Sequence, residues 1–294
     1  MKISVVITCY NKAKYIAQAI QSACEQAGVH EIIVVDDCST DRSVAIASAI
    51  GGIKLIPNAA NKGVSASTRI GVEHARAGGA EYVILLDGDD VLAVDSVRYF
   101  SKVIEQSGVP AVYSSVARDR VDDMRLKAQP CDVDARYQVE SAPLDLYMSR
   151  LSRPLATTAL CAHPDLIVRH LADGARVQDH QIAFSICYNA DRIAVSDAVT
   201  HYCSPARPGD NLSEDAVAIL TASVIVYANT FALVKCHTLF KSYQKRAYTR
   251  GLRLRHYGVL PMSLSLMLYA LTPFKELLPV QVRHAVIMKI SQYV

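Results

Sequence analysis

The chain has 294 residues, is 51% hydrophobic and carries a formal net charge of +3 at pH 7. That length supports a substantial core, either one large α/β domain with an appendage or two small domains. The charge is too mild to point to nucleic acid. Eight cysteines occur singly, with no CxxC pair and no metal-like spacing beside the nine histidines. They read as reduced thiols of a cytosolic protein rather than a disulfide framework.

A strand pattern begins at once, from Lys2 to Thr8, so no signal peptide is expected ahead of the fold. The strand ends in polar Cys9, Tyr10 and Asn11, and Lys14 to Gln26 then keeps Tyr15, Ile16, Ala19, Ile20 and Ala23 on one helical face. Glu31 to Val35 reads as a second strand, closed by the acidic pair Asp36 and Asp37. Ser39 or Thr40 is placed to cap the next helix, with Asp41 near its N-terminus. A third strand, Ile53 to Ile56, leads into NKGVSASTRIG and a helix that ends near Gly78 and Gly79.

Tyr82 to Leu86 is an unbroken apolar and aromatic run, as expected of a strand buried on both faces in a parallel sheet. It stops at Asp87, Gly88, Asp89 and Asp90. Three adjacent carboxylates cannot stay buried and unpaired, because desolvating each costs several kcal/mol. They are expected at the open carboxyl end of the strand, where α/β sheets bind ligands. There Gly88 would permit a sharp turn and a ligand's close approach. A hard divalent cation bridging to phosphate suits such a cluster; a solvated acidic turn is the plain alternative. A helix from Val94 to Gln106 and a strand from Ala111 to Ser115 follow. The strand and helix alternation predicts a mostly parallel sheet with right-handed crossovers.

Two strands thus deliver acidic pairs to one sheet edge. A phospho-accepting receiver would carry its pair on the first strand, not the second. A dinucleotide site would need GxGxxG after the first strand, and TCYNKAKY contains no glycine. A sugar-nucleotide and metal site remains. VVITCYN, EIIVVDDCSTD, NKGVSAS and YVILLDGDD, in this order and spacing, resemble the nucleotide-binding half of family 2 glycosyltransferases with the GT-A fold. The resemblance implies that Thr8 and Tyr10 line the nucleobase pocket and that Asp37 accepts from the base. It places Asp87 by the ribose and the metal's waters and Asp89 on Mn²⁺ or Mg²⁺ at the diphosphate. The family usually has Arg-Asn where Thr68 and Arg69 stand. Shifting the arginine by one residue rotates it about 100° around a helix. Arg69 is then the candidate for the diphosphate.

The segment from Ala117 to Arg153 is polar and reads as a solvated loop-and-helix region on the acceptor side. Pro154 to Ala162 reads as a strand, and Pro164 with Asp165 opens a helix. Asp179 precedes a helix with Ile182, Ala183 and Ile186 on its apolar face. Alone it would be a cap. The family has Glu-Asp here with the aspartate as general base, so the resemblance makes Asp179 the base while Gln178 replaces the glutamate, and His180 is the next candidate. Gly209, Asn211 and Ser213 match the family's closing loop, whereas Ala206 and Pro208 stand where Arg and His are usual, leaving Arg207 or His201 to substitute.

Ala216 to Val234 has no charged residue, and Lys235, Lys241, Lys245, Arg246, Arg250, Arg253 and Arg255 follow without an acidic residue among them. A transmembrane helix, a packed helix, docking on an anionic leaflet and a homodimer face all fit this region. The organisation read from the sequence is a nucleotide-sugar-binding half (1–116), an acceptor and catalytic-base half (117–213) and a helical C-terminal region (214–294). The expected function is a metal-dependent inverting glycosyltransferase on the inner face of the cell membrane. It would move sugar from a UDP-linked donor, or second a dTDP-linked one, to a saccharide or lipid-linked saccharide. A degenerate, nucleotide-sugar-binding scaffold and a nucleotidyltransferase are the alternatives.

Overall fold

A computed structural model describes residues 1–118, 129–149, 159–172, 178–203, 216–234, 240–254, 260–261, 264 and 278–292. The chain divides into two compact units, Met1–Pro143 with Leu155–Ala206, and Leu144–Pro154 with Arg207–Val294.

The first unit is a mixed α/β sheet flanked by helices. Its strands are β1 (Ile3–Cys9), β2 (Val29–Asp36), β3 (Lys54–Pro57), β4 (Tyr82–Asp87), β5 (Val91–Leu92), β6 (Ala111–Arg118), β7 (Tyr137–Glu140), β8 (Leu160–Ala162) and β9 (Ile193–Cys203). The order across the sheet is β3-β2-β1-β4-β8-β6-β9-β5, with β7 on β9. The first four strands are parallel, as the alternation predicts; the interiors of β1, β2 and β4 are almost wholly buried, whereas β3 at the edge is only partly covered. The sequence reading places β6 in that parallel run, and the structure differs. Short β8 lies between β4 and β6 and is antiparallel to both. β6 is parallel to β9, so the two halves read from the sequence share one sheet. The polar stretch after Ala117 also contains β7, antiparallel to β9.

Helix α1 (Ile16–Cys24) buries Ile16, Ala19, Ile20 and Ala23, the face read from the sequence. Helix α3 (Val64–Ala77) approaches β1 and β2 through small residues, Ser65, Ser67, Thr68, Gly71 and Ala75, all buried. A Cβ on Gly71 would lie 2.3 Å from Val6 Cγ1, so only glycine permits that approach. Between these lies α2 (Ser43–Ser48), and neither Ser39 nor Thr40 caps it. Ser39 bonds Asp36 through its amide and hydroxyl, and Thr40 bonds Asn11 Oδ1. Asp41 Oδ1 instead receives the Ser43 amide at 2.9 Å. Competing tertiary partners take the two hydroxyl residues from the capping role. Helices α4 (Ser96–Ser107), α5 (Pro143–Ser149), α6 (Pro164–Val168) and α7 (Asp179–Asn189) follow. Proline opens α6 as expected.

The second unit holds α5 from Leu144 onward, together with α8 (Ala216–Val234), α9 (Phe240–Leu254) and α10 (Val280–Ile290), the last three packed on one another. Buried Gln244 donates to Tyr227 Oη at 2.9 Å and to the Val280 carbonyl at 3.0 Å. Val224, Tyr227, Thr230 and Val234 of α8 are buried. Among the described residues no helix is long and apolar enough to cross a membrane. The closing-loop residues Ala206 to Ser213 lie outside the described residues.

Candidate active site

Parallel register builds the site. Thr8 pairs with Asp87 across β1 and β4, and Cys9 pairs with Asp36 across β1 and β2. The polar ends of three strands therefore meet at one sheet edge. Two loops are stapled there. Asn11, in the left-handed region at φ 53°, accepts the Thr40 amide through Oδ1 and donates its own amide to Ser39 Oγ at 2.8 Å. The Lys12 and Ala13 amides donate to Ser43 Oγ and Asp41 Oδ2. Tyr10, beside these staples, is 45% exposed at the edge, with its ring open to a ligand.

Asp37 is buried, and its carboxylate organises the loop before α3. It accepts from Asn58 Nδ2 at 2.9 Å, the Lys62 amide at 2.9 Å and the Gly63 amide at 2.8 Å. Gly63 has φ 85°, the left-handed backbone that glycine tolerates. The loop anchor is a role of Asp37 that the sequence reading did not include.

Asp87 receives the Thr8 hydroxyl at 3.4 Å. It is partly buried and densely surrounded by protein. Burial pushes its pKa well above the usual carboxylate range, with further upward contributions from Asp90, Asp89 and Asp179, while Lys12 acts in the opposite direction. Four carboxylates from β4, the turn after it and the start of α7 thus converge. Among the described residues no three His, Cys, Asp or Glu side chains form a ready metal cage. The donor set nonetheless fits a divalent cation held by two carboxylates plus substrate oxygens and waters, which would relieve the crowding that raises Asp87.

The cation present at the cluster is Lys12, which sequence reasoning missed. Its Nζ lies 2.5 Å from Asp89 Oδ2, and both side chains are largely buried. No local pattern distinguishes this lysine; only the fold of the β1 loop brings it there. Asp90 is buried and accepts from Cys203 Sγ at 3.0 Å.

Three residues take places the sequence did not suggest. Arg69 donates to the carbonyls of Val168, the last residue of α6, and Leu171 just beyond it, which gives its guanidinium structural partners. Gly88 has no positive φ; a Cβ there would meet the Thr8 carbonyl at 2.9 Å, so its smallness also serves the close approach of the β1 backbone. His201 is fully buried between Thr200 Oγ1 and the Leu85 carbonyl, and burial drives its pKa down to about 4. It cannot replace a lid cation.

Asp179 opens α7, one residue past the N-cap position, where Gln178 makes no side-chain cap bond. Negative charge is favoured at a helix N-terminus. Ile182, Ala183 and Ile186 are buried beneath it as the sequence face requires.

Residues 4–154 match the family model described as glycosyl transferase family 2. The chain belongs to this family. It is 34% identical over 144 residues to the succinoglycan biosynthesis protein ExoO of Rhizobium meliloti, which covers 48% of this chain and 39% of that one. It is 25% identical over 225 residues to the poly(ribitol-phosphate) beta-N-acetylglucosaminyltransferase TarS of Staphylococcus aureus, covering 72% and 37%. The chain therefore spans about two fifths of the length of these relatives. A crystal structure of S. aureus TarS 1–349 in complex with UDP-GlcNAc aligns with a TM-score of 0.61 at 17% identity, covering 99% of this chain and 90% of that one. That likeness establishes the GT-A fold expected from the sequence motifs.

Proposed function

We propose that the protein is a metal-dependent inverting glycosyltransferase that uses a nucleotide sugar, UDP-linked first and dTDP-linked second. The observation that carries this reading is the convergence of Asp179 with Asp87 and Asp89, a base candidate beside a nucleotide-diphosphate site. The family and the UDP-GlcNAc bound by the TarS neighbour support the donor class.

In this reading Tyr10 packs on the nucleobase and Thr8 closes the pocket. Asp37 fixes the loop that borders it and offers its remaining acceptor capacity to the base. Asp87 faces the ribose. Asp87 and Asp89 are the residues that would hold Mn²⁺ or Mg²⁺, whose contribution is to neutralise charge on the leaving diphosphate. Asp179 takes the proton of the acceptor hydroxyl, whose oxygen bonds to the anomeric carbon as the bond to the diphosphate breaks on the opposite face. The acceptor class is a saccharide or lipid-linked saccharide, as expected for surface polysaccharide synthesis.

A screen for slow donor hydrolysis with Mn²⁺ across nucleotide sugars tests this. Turnover of one UDP or dTDP sugar is expected, and binding without turnover of any would favour the scaffold reading, to which the engagement of Arg69 with α6 lends some support. The basic helix α9, with Lys245 and Arg253 exposed, supports contact with an anionic cytoplasmic leaflet. Sedimentation with anionic but not neutral liposomes, reversed by salt, is the result that contact requires.

A further inference from the structure

Beside the Asp87 carboxylate lies a cavity of about 10 Å³, walled by Val6 and Leu85 and by the polar side chains of Thr8, Thr68, Asp87 and Gln178. This is the room one water molecule needs. Thr68 is fully buried and Gln178 nearly so. Thr68 Oγ1 and Gln178 Oε1 both lack a hydrogen-bond partner. A buried polar atom without a partner is costly, and two of them on one water-sized cavity have a common remedy. Both residues are neutral at positions where the family resemblance implies a charged side chain, and they come together here from α3 and the start of α7.

We propose that one water molecule occupies this cavity and joins Thr68, Gln178 and Asp87, making Thr68 and Gln178 positioning residues for the Asp87 carboxylate. The donors and acceptors balance. The Thr68 hydroxyl donates to the water, and the water donates one hydrogen to Gln178 Oε1 and the other to Asp87. A carboxylate beside three others gains a donor aimed at it, which holds it oriented. The Gln178 carbonyl accepts the amides of Gln181 and Ile182, each at 3.0 Å, so the residue is anchored to α7. Asp179 is next in sequence, and the water ties the two aspartates to one frame.

The functional half rests on the transferase reading above; the water itself does not. A crystal structure of the full chain, at a resolution where ordered waters are visible, should show one water in contact with all three side chains. A dry cavity, or Thr68 and Gln178 paired directly with protein, would overturn the inference whether or not any donor is turned over. Calorimetry with UDP and Mn²⁺ then reads the positioning role. Thr68→Val and Gln178→Met should each weaken binding about tenfold, as loss of a supporting partner does. The double variant should lose no more than the worse single one, because either change alone releases the water. Thr68→Ser, which keeps the hydroxyl, should recover most of the loss. Multiplying effects, or equal losses for Thr68→Ser and Thr68→Val, would remove the positioning role.

Discussion

Lys12 Nζ sits 2.5 Å from Asp89 Oδ2, so the aspartate read as a metal ligand already holds a tethered cation. A divalent ion binding Asp89 must share or displace that ammonium. Lys12→Met should destabilise the metal-free protein, since a largely buried carboxylate loses its partner. The same variant should bind Mn²⁺ more tightly and recover its melting temperature with the metal. Asp89→Ala should abolish the metal's effect on UDP affinity. Calorimetry and thermal unfolding with and without Mn²⁺ check this; equal Mn²⁺ affinity in wild type and Lys12→Met would show that the lysine does not compete.

Gly71 and Gly251 give opposite expectations for the same change. At Gly71 the added Cβ meets Val6 Cγ1 at 2.3 Å, and a β-branched side chain inside a sheet cannot turn away. Gly71→Ala should cost about 1–3 kcal/mol, as overpacking does. At Gly251 the nearest atom is Ile290 Cδ1 at 2.9 Å, the far end of a flexible chain. There the gain in helix propensity, up to about 1 kcal/mol, should offset the contact. Urea denaturation of both variants decides; a neutral Gly71→Ala would mean that α3 can move off β1.

Buried His201 makes stability fall in acid. Its folded pKa of about 4 lies below the ordinary 6.5, so the unfolded chain binds the proton first. Its effect is absent above pH 6.5, grows as pH falls from there, and levels off below about 4. The full difference is worth about 3 kcal/mol, at 1.36 kcal/mol per pH unit. Unfolding free energies between pH 7 and 5 should decline less steeply in His201→Gln than in wild type. Parallel curves would place the acid sensitivity elsewhere.

Much of this was legible in residues whose patterns are local. Tyr82 to Leu86 announced a strand buried on both faces, and the carboxylates after it could lie only at an open sheet end. Pro154 to Ala162 reads as a strand, but the place of β8 between β4 and β6 was not legible, because it is set by pairing with Val83, Ile84 and the start of β6. Ser39 and Thr40 read as caps because capping is a local rule, and distant partners outbid it. Lys12 follows no motif, and Thr68 and Gln178 lie 110 positions apart in the chain. Such meetings depend on the packed fold alone.

Asp179→Asn tests the central claim most directly. Asparagine keeps the shape and much of the hydrogen bonding at the start of α7 but cannot take a proton. Measured as sugar transfer from the donor that the hydrolysis screen names, the rate should fall about 10²–10⁴-fold, the usual loss for a general base. UDP and Mn²⁺ binding by the same sample should persist, since those contacts belong to Tyr10, Asp87 and Asp89. Transfer within twofold of wild type, with donor binding intact, would contradict the assignment of Asp179 as the base.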